Sequence, residues 1–456
     1  LGYDLIRPDE QGETAQDEEK QEARRIKEAR KRVIASFILA TPIVVYYMLI
    51  HMFNLKHVHE IFGFDVDASH VAAIHQGQPP VSETNLEKIL SENHSRLHGM
   101  QSTQEAVTYS DITFIIVPTP SELSGSFSVE YVVSACQEIG EKLRTKNDYH
   151  LVVLTSTVLP KDCEEKIIPV LEQSSGKTCG KDFGFCYSPL FIAIGSVIRN
   201  LLHPDFFLVG ERDVRSGETL EAFYHTVSDN HAPVRRMSLP SAELTKISVN
   251  SYVTMKITFA NMLGEVAEKI SGVDIDDVTS ALGSDKRIGG AYLKSGLGYG
   301  GPCFPRDNRA FAHMASARGV EAPFATKTDE YNNAIIQRWV NKIKSVTSSS
   351  DVIAMIGTSY KPGTAFAEES QSIGIARTLA KDGFTVHVHN PDGNEQTRQL
   401  LEESVIYHDE LLPCLEQATV IFLGLPMEYL HEPLERLSQK KTIKIIDPWR
   451  QIKNNL

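Results

Sequence analysis

Short apolar runs of strand length recur along this chain in two separate series, with helix-period segments between them. That alternation limits the fold more than any other feature. In the first series, residues 57–67 form a short run ending in acidic residues, with further runs at 112–117, 151–154 and 183–187 and helical spacing at 68–76 and 129–143. In the second, the runs fall at 352–356, 385–389, 420–425 and 443–446, and a helix over 373–382 stops at Gly383. Strands separated by helices pair in parallel through crossovers, so each series predicts one α/β domain with a parallel sheet. Between them, residues 241–270 keep apolar positions at helical spacing, among them Leu244, Ile247, Val253, Ile257, Leu263 and Val266. The Ser/Thr-rich stretch 346–350 suits a domain boundary.

At 456 residues the chain has room for two or three domains, and its formal charge of -13 argues against a nucleic-acid partner, which needs clustered Lys and Arg. The six cysteines show neither a CxxC pair nor zinc spacing, so no metal site is expected and a reducing, cytoplasmic setting follows. Residues 1–56 stand apart. A charged stretch with a basic cluster, Arg24 to Arg32, precedes 21 residues without formal charge at 33–53. This length allows a membrane helix, and with it membrane contact, or an atypical start of the first domain.

Asp65 follows the first apolar run, where an acidic residue at a strand end hydrogen-bonds the ribose of NAD. Its usual companion is a glycine-rich turn 20–30 residues upstream, yet residues 34–42 contain no glycine, so the first domain is read as lacking its glycine loop. Further on, Lys246 and Asn250 are four apart and share one helix face. Then comes Gly296-Leu-Gly-Tyr-Gly-Gly-Pro-Cys-Phe-Pro-Arg-Asp307. Its glycines would let the backbone wrap a ligand, with Cys303 placed as a nucleophile and a neighbouring cation favouring its thiolate.

The order of these signals, with Val117-Pro-Thr-Pro120, Ser156-Thr-Val158, 242–252 and Ser359-Tyr-Lys-Pro-Gly-Thr364, resembles the UDP-glucose/GDP-mannose dehydrogenase family, its UDP-glucose 6-dehydrogenases above all, from about Val58 to Trp449. The resemblance implies two Rossmann-like parallel-sheet domains joined by a long central helix and a helical middle domain. It implies an NAD-binding type of domain over 57–230, a central dimerisation domain with the cysteine loop over 231–335, and a UDP-binding domain over 336–456. It further implies a homodimer, NAD as cofactor and a UDP-sugar as substrate. The sugar's C6 alcohol would be oxidised twice, through a thiohemiacetal and a thioester on Cys303. Lys246 and Asn250 would hold developing negative charge and contact the sugar, and Asp307 and Thr157 would serve the catalytic water. Asp65, Thr119, Pro120 and Thr157 would contact the cofactor; Gly301, Tyr360 and Lys361 would contact the substrate.

The chain departs from the family pattern in several places. Leu190 and Ile194 stand where carboxylates are usual, and Phe366 and Glu368 occupy usual acidic and arginine positions. With the absent glycine turn, these departures give the alternative reading: a catalytically impaired UDP-sugar-binding homologue with a regulatory or scaffolding role. His387 and His389 alternate on a strand, as do His57 and His59, and read as sheet-face residues in place of metal ligands.

Overall fold

The structure is a computed structural model that describes residues 60–79, 83, 85–427, 430 and 443–452. Its chain forms two compact units. One holds the described residues up to Pro120 together with Ser128–Glu243; the other holds Ser121–Phe127 and the described residues from Leu244 onward.

In the first unit, β1 (Ile61–Gly63) and β2 (Leu97–Gly99) pair in parallel. A separate sheet runs in the order β3 (Ile112–Ile115), β4 (Leu151–Leu154), β5 (Gly184–Tyr187), β6 (Phe207–Glu211), β7 (Val234–Ser238). The unbroken apolar run of β4 is explained by its two faces. Val152 and Leu154 join Val132, Cys136, Ile139 and Leu171 of the helices Glu130–Leu143 and Ile168–Ser175. Leu151 and Val153 point the other way, to Leu220 and Tyr224 of the helix Val214–Val227. A strand covered on both sides needs apolar residues at every position. The pairing is parallel except between β5 and β6, which run antiparallel, so this sheet is mixed where a wholly parallel one was expected. β2 and β7 carry weak sequence signals: β7 reads Val-Arg-Arg-Met-Ser and is largely exposed or half-buried.

In the second unit all pairs are parallel, in the order β10 (Ile406–Tyr407), β9 (Thr385–His389), β8 (Val352–Ile356), β11 (Val420–Leu423), β12 (Lys444–Ile446). Ile353 and Met355 pack with Trp339, Ile343 and Leu379, while Ala354 and Ile356 face Cys414, Leu415 and Ile421. His387 and His389 are buried on β9; the His387 ring meets His408 (Nδ1 to Nε2, 3.0 Å) and His389 Nδ1 meets the His408 carbonyl at 3.1 Å. Burial and the neighbouring ring lower the pKa of His387, and among the described residues no cluster of three such ligands could hold a metal ion.

Leu239–Ala267 is one helix of 29 residues, with the cysteine segment after it leading into the helices Phe304–Ser316 and Pro323–Val346. Among the described residues no helix is long and apolar enough to cross a membrane. The candidate span 33–53, His57, His59 and the glycine-free stretch 34–42 lie outside the described residues.

Candidate active site

The cysteine loop takes its shape from what stands against it. Asn261 on the central helix accepts the Gly296 N–H (2.8 Å) and donates to the Leu297 carbonyl (3.1 Å). Asn332 does the same for Tyr299, accepting its N–H (2.8 Å) and donating to its carbonyl (3.0 Å). Gly301 sits at φ +83 with the Tyr360 ring so close that a Cβ would meet it at 2.6 Å. At Gly300 a Cβ would meet the Glu369 carbonyl at 2.4 Å. These glycines admit close packing by the protein itself, which fixes the backbone leading to Cys303.

Cys303 is the residue before the helix Phe304–Ser316, and Pro305 in the first turn fits a position whose N–H has no helical acceptor. It is the one exposed cysteine of the six; the other five are buried and none is paired. On the next turn, Asp307 is fully buried. Its Oδ1 accepts from Arg306 Nε at 2.9 Å and its Oδ2 from Asn250 Nδ2 at 2.6 Å. A buried carboxylate is tolerable only with such partners. The Arg306 guanidinium also lies over the Phe127 ring, 4.9 Å from its centroid. Lys246, one turn before Asn250, is buried beside the same group.

The electrostatics bring a thiol and an amine toward each other. Surrounding protein raises the Cys303 pKa; Arg306 opposes this, Asp307 adds to it, Lys246 opposes it and Glu368 adds to it. The expected thiolate bias is therefore corrected: the cations are present, but desolvation and the two carboxylates outweigh them. Burial lowers the Lys246 pKa, against the pull of Asp307 and Cys303. The result is a thiol that ionises late near an amine that loses its proton early, so both groups are biased toward their neutral forms.

In the first unit, Asp65 lies just past β1 and is half-buried. Its Oδ1 accepts the Asp67 N–H at 2.8 Å and its Oδ2 stands 3.5 Å from His70 Nδ1. Thr119 and Thr157 are brought together after adjacent strands β3 and β4, the Thr119 hydroxyl donating to the Thr157 carbonyl at 2.7 Å. The Pro120 carbonyl accepts from Ser128 N at 2.8 Å. In the second unit Tyr360 and Lys361 follow β8, with the Lys361 ammonium 5.8 Å from the Tyr360 ring centroid.

Comparison with known proteins decides the family. The NAD-binding, central and UDP-binding domains of the UDP-glucose/GDP-mannose dehydrogenase family match residues 46–228, 240–334 and 354–454 in turn. The chain belongs to this family. Similar proteins include the GDP-mannose 6-dehydrogenase of Azotobacter vinelandii, 32% identical over 80% of this chain and 86% of that one. The UDP-glucose 6-dehydrogenase of Haloferax volcanii is 30% identical over 79% of this chain and 84% of that one. A solved UDP-glucose dehydrogenase from Pyrobaculum islandicum superposes with a TM-score of 0.81 at 30% identity, covering 90% of this chain and 93% of that one.

Membership of the UDP-glucose/GDP-mannose dehydrogenase family makes this a nucleotide-sugar oxidoreductase with NAD as cofactor. The described residues fit that cofactor at its adenosine end. Asp65 is a half-buried carboxylate at a strand end, steadied by a backbone N–H, an acceptor of the kind that ribose hydroxyls pair with. Sequence reasoning named Cys303, Lys246, Asn250 and Asp307 as one site but gave Arg306 no role there. It missed Asn261, Asn332 and Trp449 around the loop, although an amide at the right helix phase beside a glycine string was a usable signal. Trp449 stands against Gly296, where a Cβ would meet its ring at 2.4 Å.

Proposed function

We propose that this chain oxidises the C6 alcohol of a nucleotide-hexose to the acid in two steps at Cys303, with a UDP-hexose, UDP-glucose first, as substrate. The observation that carries this is one exposed thiol among Lys246, Arg306 and the Asn250–Asp307 pair. NAD, when bound, supplies the hydride acceptor. The chain's own groups do the rest. Lys246, its pKa lowered by burial, takes the proton of the C6 hydroxyl. Asn250, with one amide hydrogen held by Asp307, turns the other to the sugar oxygen. The Cys303 sulfur adds to the aldehyde carbon, and the oxygen that gains charge is held by Lys246 and Asn250. The thiohemiacetal loses a second hydride, and water releases the acid from the thioester.

In this reading Asp65, Thr119, Pro120 and Thr157 contact the cofactor. Thr157 also serves the catalytic water, and Gly301, Tyr360 and Lys361 contact the nucleotide sugar. The functional segments are 57–230, 231–335 and 336–456. A homodimer fits the apolar side chains that the central helix exposes at Tyr252, Phe259, Met262 and Val266. The test is NADH formation, followed by absorbance, with UDP-glucose, UDP-N-acetylhexosamines and GDP-mannose. The expected result is two NADH per UDP-glucose consumed. A preference for GDP-mannose would overturn the sugar assignment, and tight sugar binding without any NADH would favour a binding protein.

A further inference from the structure

The thioester step needs a base for water, and the cluster around Cys303 offers two carboxylates for that work. Asp307 is fully buried with both oxygens engaged, Oδ1 by Arg306 and Oδ2 by Asn250. A water reaching it would have to displace one of those bonds. Glu368 differs on every point. It is half-buried, and its carboxylate makes no hydrogen bond or ion pair among the described residues.

Its backbone is nevertheless fixed to the cysteine loop. The Glu368 carbonyl accepts the Gly301 N–H at 3.0 Å, two residues before Cys303. The next carbonyl, of Glu369, backs Gly300 so closely that no side chain fits there. On either side the segment is pinned. The Ala367 N–H donates to Gln396 Oε1 at 3.0 Å, and Arg309 holds the Glu369 carboxylate at 3.0 Å. A rigid backbone with one uncommitted carboxylate beside a nucleophile is the arrangement that general-base catalysis asks for.

We infer that Glu368 is the base that activates water against the acyl group on Cys303, an inference that rests on the dehydrogenase reading above. The Glu368 carboxylate takes one proton from water as the water oxygen bonds to the thioester carbon. The C–S bond then breaks, sulfur keeps the electron pair, and Glu368 returns the proton to it. The acid leaves and the Cys303 thiol is restored, so one water is consumed and no further reactant is needed. The charged and titratable groups around Glu368 are Glu369, Arg306, Arg309 and the Cys303 thiol. Burial and Glu369 raise its pKa, against Arg306 and Arg309, which moves it toward neutrality where a base works best.

The test isolates deacylation from sugar oxidation. Cys303 is the one exposed cysteine, so the protein is acylated with p-nitrophenyl acetate, the adduct is placed on Cys303 by peptide mapping, and mass spectrometry follows loss of the acetyl group. E368Q is expected to deacylate about 10²-fold more slowly than the wild type. It should also lose the acid limb, which in the wild type lies above the ordinary carboxylate range. E368D, which keeps the carboxylate, should recover part of the rate, and E368Q should acylate at least as readily as the wild type, because the Glu368 charge holds the Cys303 pKa up. Deacylation of E368Q at the wild-type rate with an unchanged pH profile would overturn the assignment; if E368Q fails to fold, a wild-type profile without that acid limb does so equally. Absence of NADH from every nucleotide sugar would remove the dehydrogenase reading on its own, while the acetyl arm still decides Glu368.

Discussion

Cys163 and Cys303 each lie beside a buried carboxylate, Glu243 in the first unit and Asp307 in the second. Around Cys163 the partners are backbone groups. Glu243 accepts the N–H of Lys161 at 2.7 Å and of Cys163 at 2.9 Å, and the thiol is wholly enclosed. Burial pushes the Cys163 pKa far up and Glu243 pushes it further, with no cation among the causes. Around Cys303 the carboxylate is tied to side chains, and Arg306 and Lys246 oppose the rise. One carboxylate thus shapes a loop and the other organises charge. A cysteine becomes a nucleophile through access and cations, not through the acid beside it.

The largest effect separates the two thiols. C303A should lower NADH formation about 10³-fold or more, whereas C163A should leave kcat unchanged and cost about 1 kcal/mol of stability. Equal losses of activity in steady-state assays would erase the distinction. Next comes the carboxylate. E243A leaves the buried Cys163 N–H and the part-buried Lys161 N–H without their acceptor, a loss of about 2 kcal/mol, which a lower midpoint in thermal unfolding would reveal. The sign with pH follows from the raised pKa of Glu243, whose first cause is burial. Its stabilising contribution is complete below the ordinary carboxylate pKa and is lost as pH rises through the raised value. Wild type should therefore lose stability relative to E243A across that window, and parallel curves would contradict the burial argument. The smallest effect is at Lys161, held at φ +86, a region that suits glycine. K161G should raise the midpoint by about 2 °C, and a lower one would mean that the Lys161–Glu164 contact at 2.6 Å outweighs the backbone strain.

How much of this could be read from the sequence depended on the kind of pattern each part left. β4 and β8 carry continuous apolar runs because both faces are covered, and their limits match the runs closely. β7 and β10 are short or polar and leave no such trace, since edge strands need only one covered face. The antiparallel step between β5 and β6 is a matter of chain direction, which composition does not encode. At the site, Cys303, Lys246, Asn250 and Asp307 were legible because a glycine string and a four-residue helix spacing mark them. The net direction of the thiol's pKa was not, because it depends on desolvation by the surrounding protein and on Glu368, 65 positions along the chain and contributed by a different segment. Nor did the glycines reveal that Tyr360, Glu369 and Trp449 fill the space beside them.

The central claim is that the sulfur of Cys303 carries the oxidised sugar carbon. The most direct measurement is mass spectrometry of the protein quenched during turnover with NAD and UDP-glucose, followed by peptide mapping. The account predicts a sugar-acyl adduct on the peptide containing Cys303, accumulating further in E368Q. An adduct on another residue, or NADH formation in C303A at the wild-type rate, would contradict it.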